Sequence, residues 1–182
     1  MIRTSLFAGV VALALAAQAH GSLPVGAKAP DIETQASLDG KPAPFSLKAA
    51  LKKGPVVLYF YPAAFTQGCT IEAHAFAEAT DDFHKLGATV VGMSGDSIET
   101  LNKFSVAECR SKFAVGSATP ETIAAYDVIL RAKPNLSNRT SYVIAPGGKV
   151  IYAYSAMDPL GHITGTMQAV KDWRAAHPNW HG

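Results

Sequence analysis

Cysteine is scarce in this chain, with two in 182 positions. Two thiols cannot build a disulfide-dense scaffold or a four-thiolate zinc site. Charge is scarce as well: 16% of residues are Asp, Glu, Lys or Arg, and the formal net charge is +2. With no Lys/Arg cluster, the chain lacks the electrostatic footprint of a nucleic-acid binder. A membrane-length apolar run is missing too. Leu6 to Ala17 is 12 residues long, which as helix rises about 18 Å against the roughly 30 Å of a bilayer core. No internal repeat or low-complexity tract follows it. What is present is a 48% hydrophobic composition, enough for one compact domain with its own core and too apolar for a disordered chain.

The N-terminus reads as a secretory signal peptide over residues 1–19. Arg3 precedes the apolar run, and Ala17-Gln18-Ala19 places small residues at the positions a signal peptidase reads. Gln18, His20, Gly21 and Ser22 then break the apolarity where a span would continue. An uncleaved anchor is the alternative. Residues 20–182 form a single expected domain, exported to a bacterial periplasm where its thiols meet oxidising conditions.

Hydrophobic spacing outlines the elements. Val56 to Tyr61 is a continuous apolar run bounded by Gly54-Pro55 and Pro62, the pattern of a central strand covered on both faces. Residues 69–86 switch to helical spacing, with Ala73, Phe76, Thr80, Phe83 and Leu86 on one face and Gly87 as the stop. Thr89 to Met93 is a second buried strand. Asp96 with Glu99 resembles a capping box for a helix reaching about Glu108. A short strand is expected at Phe113–Val115, and a helix opens at Thr119-Pro120-Glu121. Tyr142–Ile144 and Val150–Tyr152 flank Pro146-Gly147-Gly148-Lys149, a hairpin signal. A last helix carries Ile163, Met167, Val170 and Trp173 on one stripe and ends before Pro178. The order predicts an α/β fold with a central mixed sheet flanked by helices.

Cys69 falls where the first buried strand turns into a helix, in Tyr61-Pro62-Ala63-Ala64-Phe65-Thr66-Gln67-Gly68-Cys69. A thiol there sits among unpaired backbone N–H groups at the positive end of a helix dipole, which favours the nucleophilic thiolate. Thr66 precedes it by three residues and brings a hydroxyl across the turn. Pro62 closes the strand and shields one side. An inert buried core thiol is the alternative.

Pro62-x-x-x-Thr66-x-x-Cys69 resembles the active-site signature of the peroxiredoxins. Tyr59-Phe60-Tyr61-Pro62 through Cys69-Thr70-x-Glu72 is similar to their bacterioferritin-comigratory (PrxQ) branch. Val90-Val91-Gly92-Met93-Ser94-x-Asp96-Ser97 and Arg139-Thr140-Ser141-Tyr142-Val143-Ile144-x-Pro146-x-Gly148 agree with it in order, so the likeness runs from about Ala29 to Trp173. The resemblance implies a thioredoxin-like fold and a peroxidase acting on hydrogen peroxide and organic hydroperoxides, with no metal or cofactor. Cys69 is then the peroxidatic cysteine. Thr66, the N–H groups near Gly68 and Cys69, and the Arg139 guanidinium are its implied donors. Glu72 matches the branch pattern, either positioning the site or standing as a solvated helix carboxylate.

The second thiol is harder to assign. Many relatives carry a resolving cysteine five residues after the peroxidatic one, and that position here is His74, read as an exposed helix residue. Others carry it at the position aligned with Ser105. Cys109 is therefore a resolving candidate at a non-matching position. A free Cys109 with an external thiol as resolver, or a structural Cys69–Cys109 disulfide, are the other readings. Cys69-Thr70-Ile71-Glu72 and Ala73 lack the second cysteine of a thioredoxin-type oxidoreductase or a copper-delivery protein. A redox sensor or binding module on the same fold is the competing function. The expected partners are a hydroperoxide and a thioredoxin-like or small-thiol reductant, met by a monomer. His162 echoes a family position at the last helix, where capping or packing accounts for it.

Overall fold

The computed structural model describes residues 22–180; the signal peptide read over 1–19 lies outside them. The elements in chain order are β1 (Glu33–Leu38), β2 (Lys41–Ser46), α1 (Leu47–Leu51), β3 (Val56–Phe60), α2 (Gln67–Lys85), β4 (Thr89–Ser94), α3 (Ile98–Ala107), β5 (Ala114–Ser117), α4 (Pro120–Ala125), β6 (Thr140–Ile144), β7 (Val150–Ser155) and α5 (Leu160–Ala176). The strands form one seven-stranded mixed sheet in the order β2-β1-β5-β4-β3-β6-β7. Only β3–β4 and β4–β5 pair in parallel, and their crossovers are the helices α2 and α3. The mixed sheet flanked by helices is the one expected from the strand–helix order, and its arrangement is the thioredoxin-like one that the resemblance implies. Among the described residues no helix is long and apolar enough to cross a membrane.

β3 shows why its sequence alternates nothing. All five of its residues are buried, because the pleat sends Val57 and Tyr59 into a core beneath α2, α3 and α5, and Leu58 and Phe60 into a second core beneath α1 and α4. The β6–β7 hairpin turns at Gly147 and Gly148, both with positive φ (91° and 86°), a conformation that only glycine takes without strain.

Three expectations change. The β1–β2 hairpin was not anticipated, although Asp39-Gly40, both with positive φ, is a two-residue turn signal. Pro42 and Pro44 hide β2 from a propensity reading; as the sheet's edge strand it tolerates their missing N–H groups. The cap of α3 is Ser97, whose hydroxyl accepts from the Thr100 N–H, and not Asp96. Asp96 instead accepts from the Ala64 N–H (2.8 Å) and the Ser94 hydroxyl (2.7 Å), tying the loop after β3 to the end of β4. Finally, the buried stripe of α5 is His162, Thr166, Val170 and Trp173, with Ile163 and Met167 only partly covered. Apolar spacing alone points the helix slightly away from its true inner face.

Candidate active site

α2 starts right at the end of the β3 loop, and Thr66 is its N-cap residue. The Thr66 carbonyl accepts the first helical bond, from Thr70 N (2.9 Å). Cys69 is thus the third helical residue, among N–H groups that have no intrahelical acceptor. The turn before it is tight. Phe65 adopts a φ of 62°, and its ring packs edge-on against Phe104 of α3. The Thr66 hydroxyl is exposed and donates to the Ala63 carbonyl (2.9 Å). Pro62 is half-buried just after β3.

Cys69 is not on display, as a freely accessible nucleophile would be: its residue is 1% exposed. Its sulfur accepts a hydrogen bond from Arg139 Nη2 at 3.5 Å. Arg139, which a surface reading would leave in solvent, is itself buried just before β6. Its Nη1 donates to Glu72 Oε2, and its Nε donates to the Met157 carbonyl at 3.1 Å. All three faces of the guanidinium fork are therefore committed, which orients Nη2 on the sulfur. Gly68 makes the approach sterically possible, since a Cβ there would stand 2.9 Å from Arg139 Nη2.

Glu72 follows Cys69 by three residues and so shares its helix face. It is fully buried, not solvated. Burial pushes its carboxyl up to about 8, although Arg139 pulls the other way. Its Oε1 has no hydrogen-bond partner, and His162 Nδ1 lies 3.7 Å from it. His162 is also fully buried, with Nδ1 at 2.8 Å from Ser141 Oγ and Nε2 at 2.9 Å from the Ala156 carbonyl. Burial holds its imidazole down to about 4.

Cys109 lies just past α3, fully buried in the same core cluster as Cys69, and both thiols are free. Burial, reinforced by the Glu108 carboxylate, pushes its thiol far up. The turn after it places Arg110 and Ser111 at positive φ (50° and 56°). A His74–Glu108 hydrogen bond (2.7 Å) and two ion pairs, Glu78–Arg110 (3.0 Å) and Asp81–Lys112 (3.0 Å), hold this turn against α2. His74 is accordingly half-buried and paired, not simply exposed. Ser105 is buried and serves the β1–β2 hairpin, bonding Ser37 Oγ and the Gly40 N–H.

The fold thus brings Cys69 and Arg139 into contact and adds Glu72 and His162 behind them. Gly68 carries a structural duty that sequence reasoning did not assign, and His162, read from the sequence as capping or packing, is buried behind Glu72. For Gly68 a signal existed in the poor helix propensity of glycine at the second helical position.

Known proteins are similar to this chain in sequence and fold. The AhpC/TSA family pattern matches residues 25–153. Peroxiredoxin Q from the chloroplast of Sedum lineare is 34% identical over 141 residues, covering 71% of this chain and 75% of the relative. Peroxiredoxin Bcp of Bacillus subtilis is 29% identical over 158 residues, covering 83% and 97%. The crystal structure of peroxidoxin BcpB from Mycobacterium tuberculosis superposes with a TM-score of 0.72 at 31% identity, covering 84% of this chain and 98% of that one. The chain belongs to the AhpC/TSA family and, within it, to the peroxiredoxins of the Q/Bcp type.

Proposed function

We propose that this protein is a thiol-dependent peroxidase whose nucleophile is Cys69. The observation that carries the reading is the Arg139 guanidinium on the Cys69 sulfur at the first turn of α2. In the reaction the thiolate attacks the terminal oxygen of a hydroperoxide. A sulfur–oxygen bond forms, the O–O bond breaks, and the electron pair leaves on the second oxygen, which takes up a proton. Products are Cys69 sulfenic acid and water or an alcohol. Negative charge moves from sulfur to the departing oxygen, so donors fixed around that path stabilise the transition state more than the ground state. Arg139 and the free N–H groups of the first turn are such donors. The Thr66 hydroxyl, donating to Ala63, keeps lone pairs to accept the peroxide O–H, and Pro62 walls the loop.

Cys109 is the proposed resolving thiol. Its sulfur attacks the Cys69 sulfenic acid, water leaves, and an intramolecular disulfide forms. The shared core cluster supports this reading. Both sulfurs are buried, so the first turn of α2 and the turn after α3 open to let the peroxide and then the reductant reach them, and the bond itself needs Cα atoms within about 7 Å. A thioredoxin-like protein or a small thiol then reduces the bond. The features of Met1 to Ala19 support export, with the monomeric enzyme acting in a bacterial periplasm.

Stopped-flow peroxide consumption by the wild type and by Cys69→Ser tests the nucleophile. Loss of at least a thousandfold in the variant is expected, as for removal of a catalytic nucleophile; consumption independent of Cys69 ends the reading. Disulfide mapping after one equivalent of peroxide tests the resolver. A Cys69–Cys109 bond is expected, whereas sulfenate or mixed disulfide at Cys69 with Cys109 untouched rules it out.

A further inference from the structure

The turn that delivers Cys69 is held in an unfavourable shape. Phe65 stands just before the N-cap Thr66 with a φ of 62°, a left-handed conformation that a bulky residue keeps only where its surroundings hold it. Contacts from outside the turn do so. The Asp96 carboxylate accepts the Ala64 N–H at 2.8 Å. The Phe65 ring stands edge-on to Phe104 of α3, with 5.2 Å between ring centres and an angle of 86°.

Phe104 is tied to the same turn a second time, and to the second thiol as well. Its ring stacks on Tyr61 (5.5 Å, 25°), the residue that follows β3 and opens the turn. Its carbonyl accepts the N–H groups of Glu108 (2.9 Å) and Cys109 (3.1 Å). One fully buried side chain therefore touches both ends of the Tyr61–Phe65 segment, while its backbone fixes Cys109 past the end of α3. Phe65 is 47% exposed, so much less apolar area holds its ring in place than holds that of Phe104. Of the two rings, Phe65 is the one that can let go.

We infer that Phe65 is a positioning residue that joins the two openings the peroxidase cycle needs. Its ring on Phe104 holds the first turn of α2 in the shape that reacts with peroxide, and its release loosens the end of α3 around Cys109. Oxidation supplies the push. The sulfenic acid adds an oxygen to a sulfur whose residue is 1% exposed, and overpacking of that kind displaces the backbone around it. The first turn of α2 yields, the left-handed Phe65 relaxes, and its ring leaves Phe104. The Cys109 sulfur then attacks the Cys69 sulfenic sulfur, the S–S bond forms and water departs.

This coupling rests on Cys109 being the resolving thiol, and two readouts keep the two questions apart. Rapid-quench turnovers of the reduced protein with hydrogen peroxide give the rates of peroxide consumption and of Cys69–Cys109 disulfide formation. Varying the peroxide separates them, since only the first depends on it. Phe65→Leu removes the ring edge and keeps an apolar side chain. It is expected to slow peroxide consumption about threefold to tenfold and to speed disulfide formation by a similar factor, the scale of one aromatic pair. Phe65→Tyr retains the ring and is expected to stay within about twofold of the wild type in both steps. Adding Phe65→Leu to Phe104→Leu is expected to change either rate less than about twofold, because the two rings act through one contact. Both steps slowed alike in Phe65→Leu, disulfide formation unmoved, or additive effects of the two leucines overturn the inference. Amide hydrogen exchange of the reduced proteins needs no disulfide. The Cys109 N–H, bonded to the Phe104 carbonyl, is expected to exchange about threefold to tenfold faster in Phe65→Leu than in the wild type. A Cys109 amide indifferent to Phe65 defeats the coupling. A wild type that forms no Cys69–Cys109 bond ends the resolving role instead, and the exchange result still decides whether the two turns open together.

Discussion

At position 68 one methyl group separates a guanidinium that reaches the sulfur from one that cannot. Gly68→Ala puts a Cβ 2.9 Å from Arg139 Nη2, closer than packed atoms stand. Arg139 has little freedom to yield, being tied to Glu72 and to the Met157 carbonyl. The expected outcome is a fall in kcat/KM for hydrogen peroxide of about tenfold to a hundredfold, in the range for losing one transition-state donor. The melting temperature is expected to stay nearly level, because alanine favours helix over glycine by up to about 1 kcal/mol and offsets the crowding. Unchanged peroxidase kinetics would show that Arg139 does not act through Nη2. The chain shows locally only a glycine poorly suited to a helix; the reason for it is a side chain from a distant segment, just before β6.

Among the elements, the joint between α2 and the turn after α3 governs the second half of the proposed cycle. Helix α2 carries Cys69 on its inner side, and on its outer side Glu78 and Asp81 grip Arg110 and Lys112 of the turn that holds Cys109. These are exposed pairs, individually weak and screened by salt. Their position matters more than their strength, because any opening of Cys109 breaks them. The double variant Glu78→Gln with Asp81→Asn is expected to form the Cys69–Cys109 disulfide about threefold faster after peroxide, a gain of the size two weak surface pairs permit. Salt is expected to speed the wild type and to leave the variant nearly unmoved. If rapid-quench disulfide formation is equally salt-dependent in both proteins, the joint does not control resolution. Sequence reading found both helices and both cysteines. It left His74 in solvent because the partner that half-buries it, Glu108, lies on a different helix end.

Over the whole molecule, burying two titratable groups back to back makes stability depend on pH in opposing directions. The Glu72 pKa rises from its ordinary 4.5 to about 8, so the folded state holds the extra proton and stability falls as pH rises through that window. His162 drops from 6.5 to about 4, so the unfolded state holds the extra proton and stability falls as pH drops through that one. The two effects oppose each other between 4.5 and 6.5. Above 6.5 only the loss from ionising Glu72 remains, up to about 8. Urea midpoints of the wild type are expected to decline across that upper window, with the decline absent in Glu72→Gln. A wild-type midpoint that climbs there contradicts a neutral buried Glu72.

Short-range physics made much of this protein readable from the chain. A six-residue apolar run bounded by Gly-Pro and Pro can scarcely be anything but a covered strand, and the residues after it set Cys69 at a helix start whatever the rest of the fold does. Turn glycines and helical spacing likewise depend on neighbours a few positions away. The environment of that cysteine depends on distant ones. Burial of Cys69, the pairing of Glu72 with Arg139, the space over Gly68 and the ring of His162 behind the carboxyl arise where β6, α2 and α5 converge. Polar residues at such a convergence look the same in the sequence as solvated ones, because what distinguishes them is the exclusion of water, and that exists only once the layers have packed.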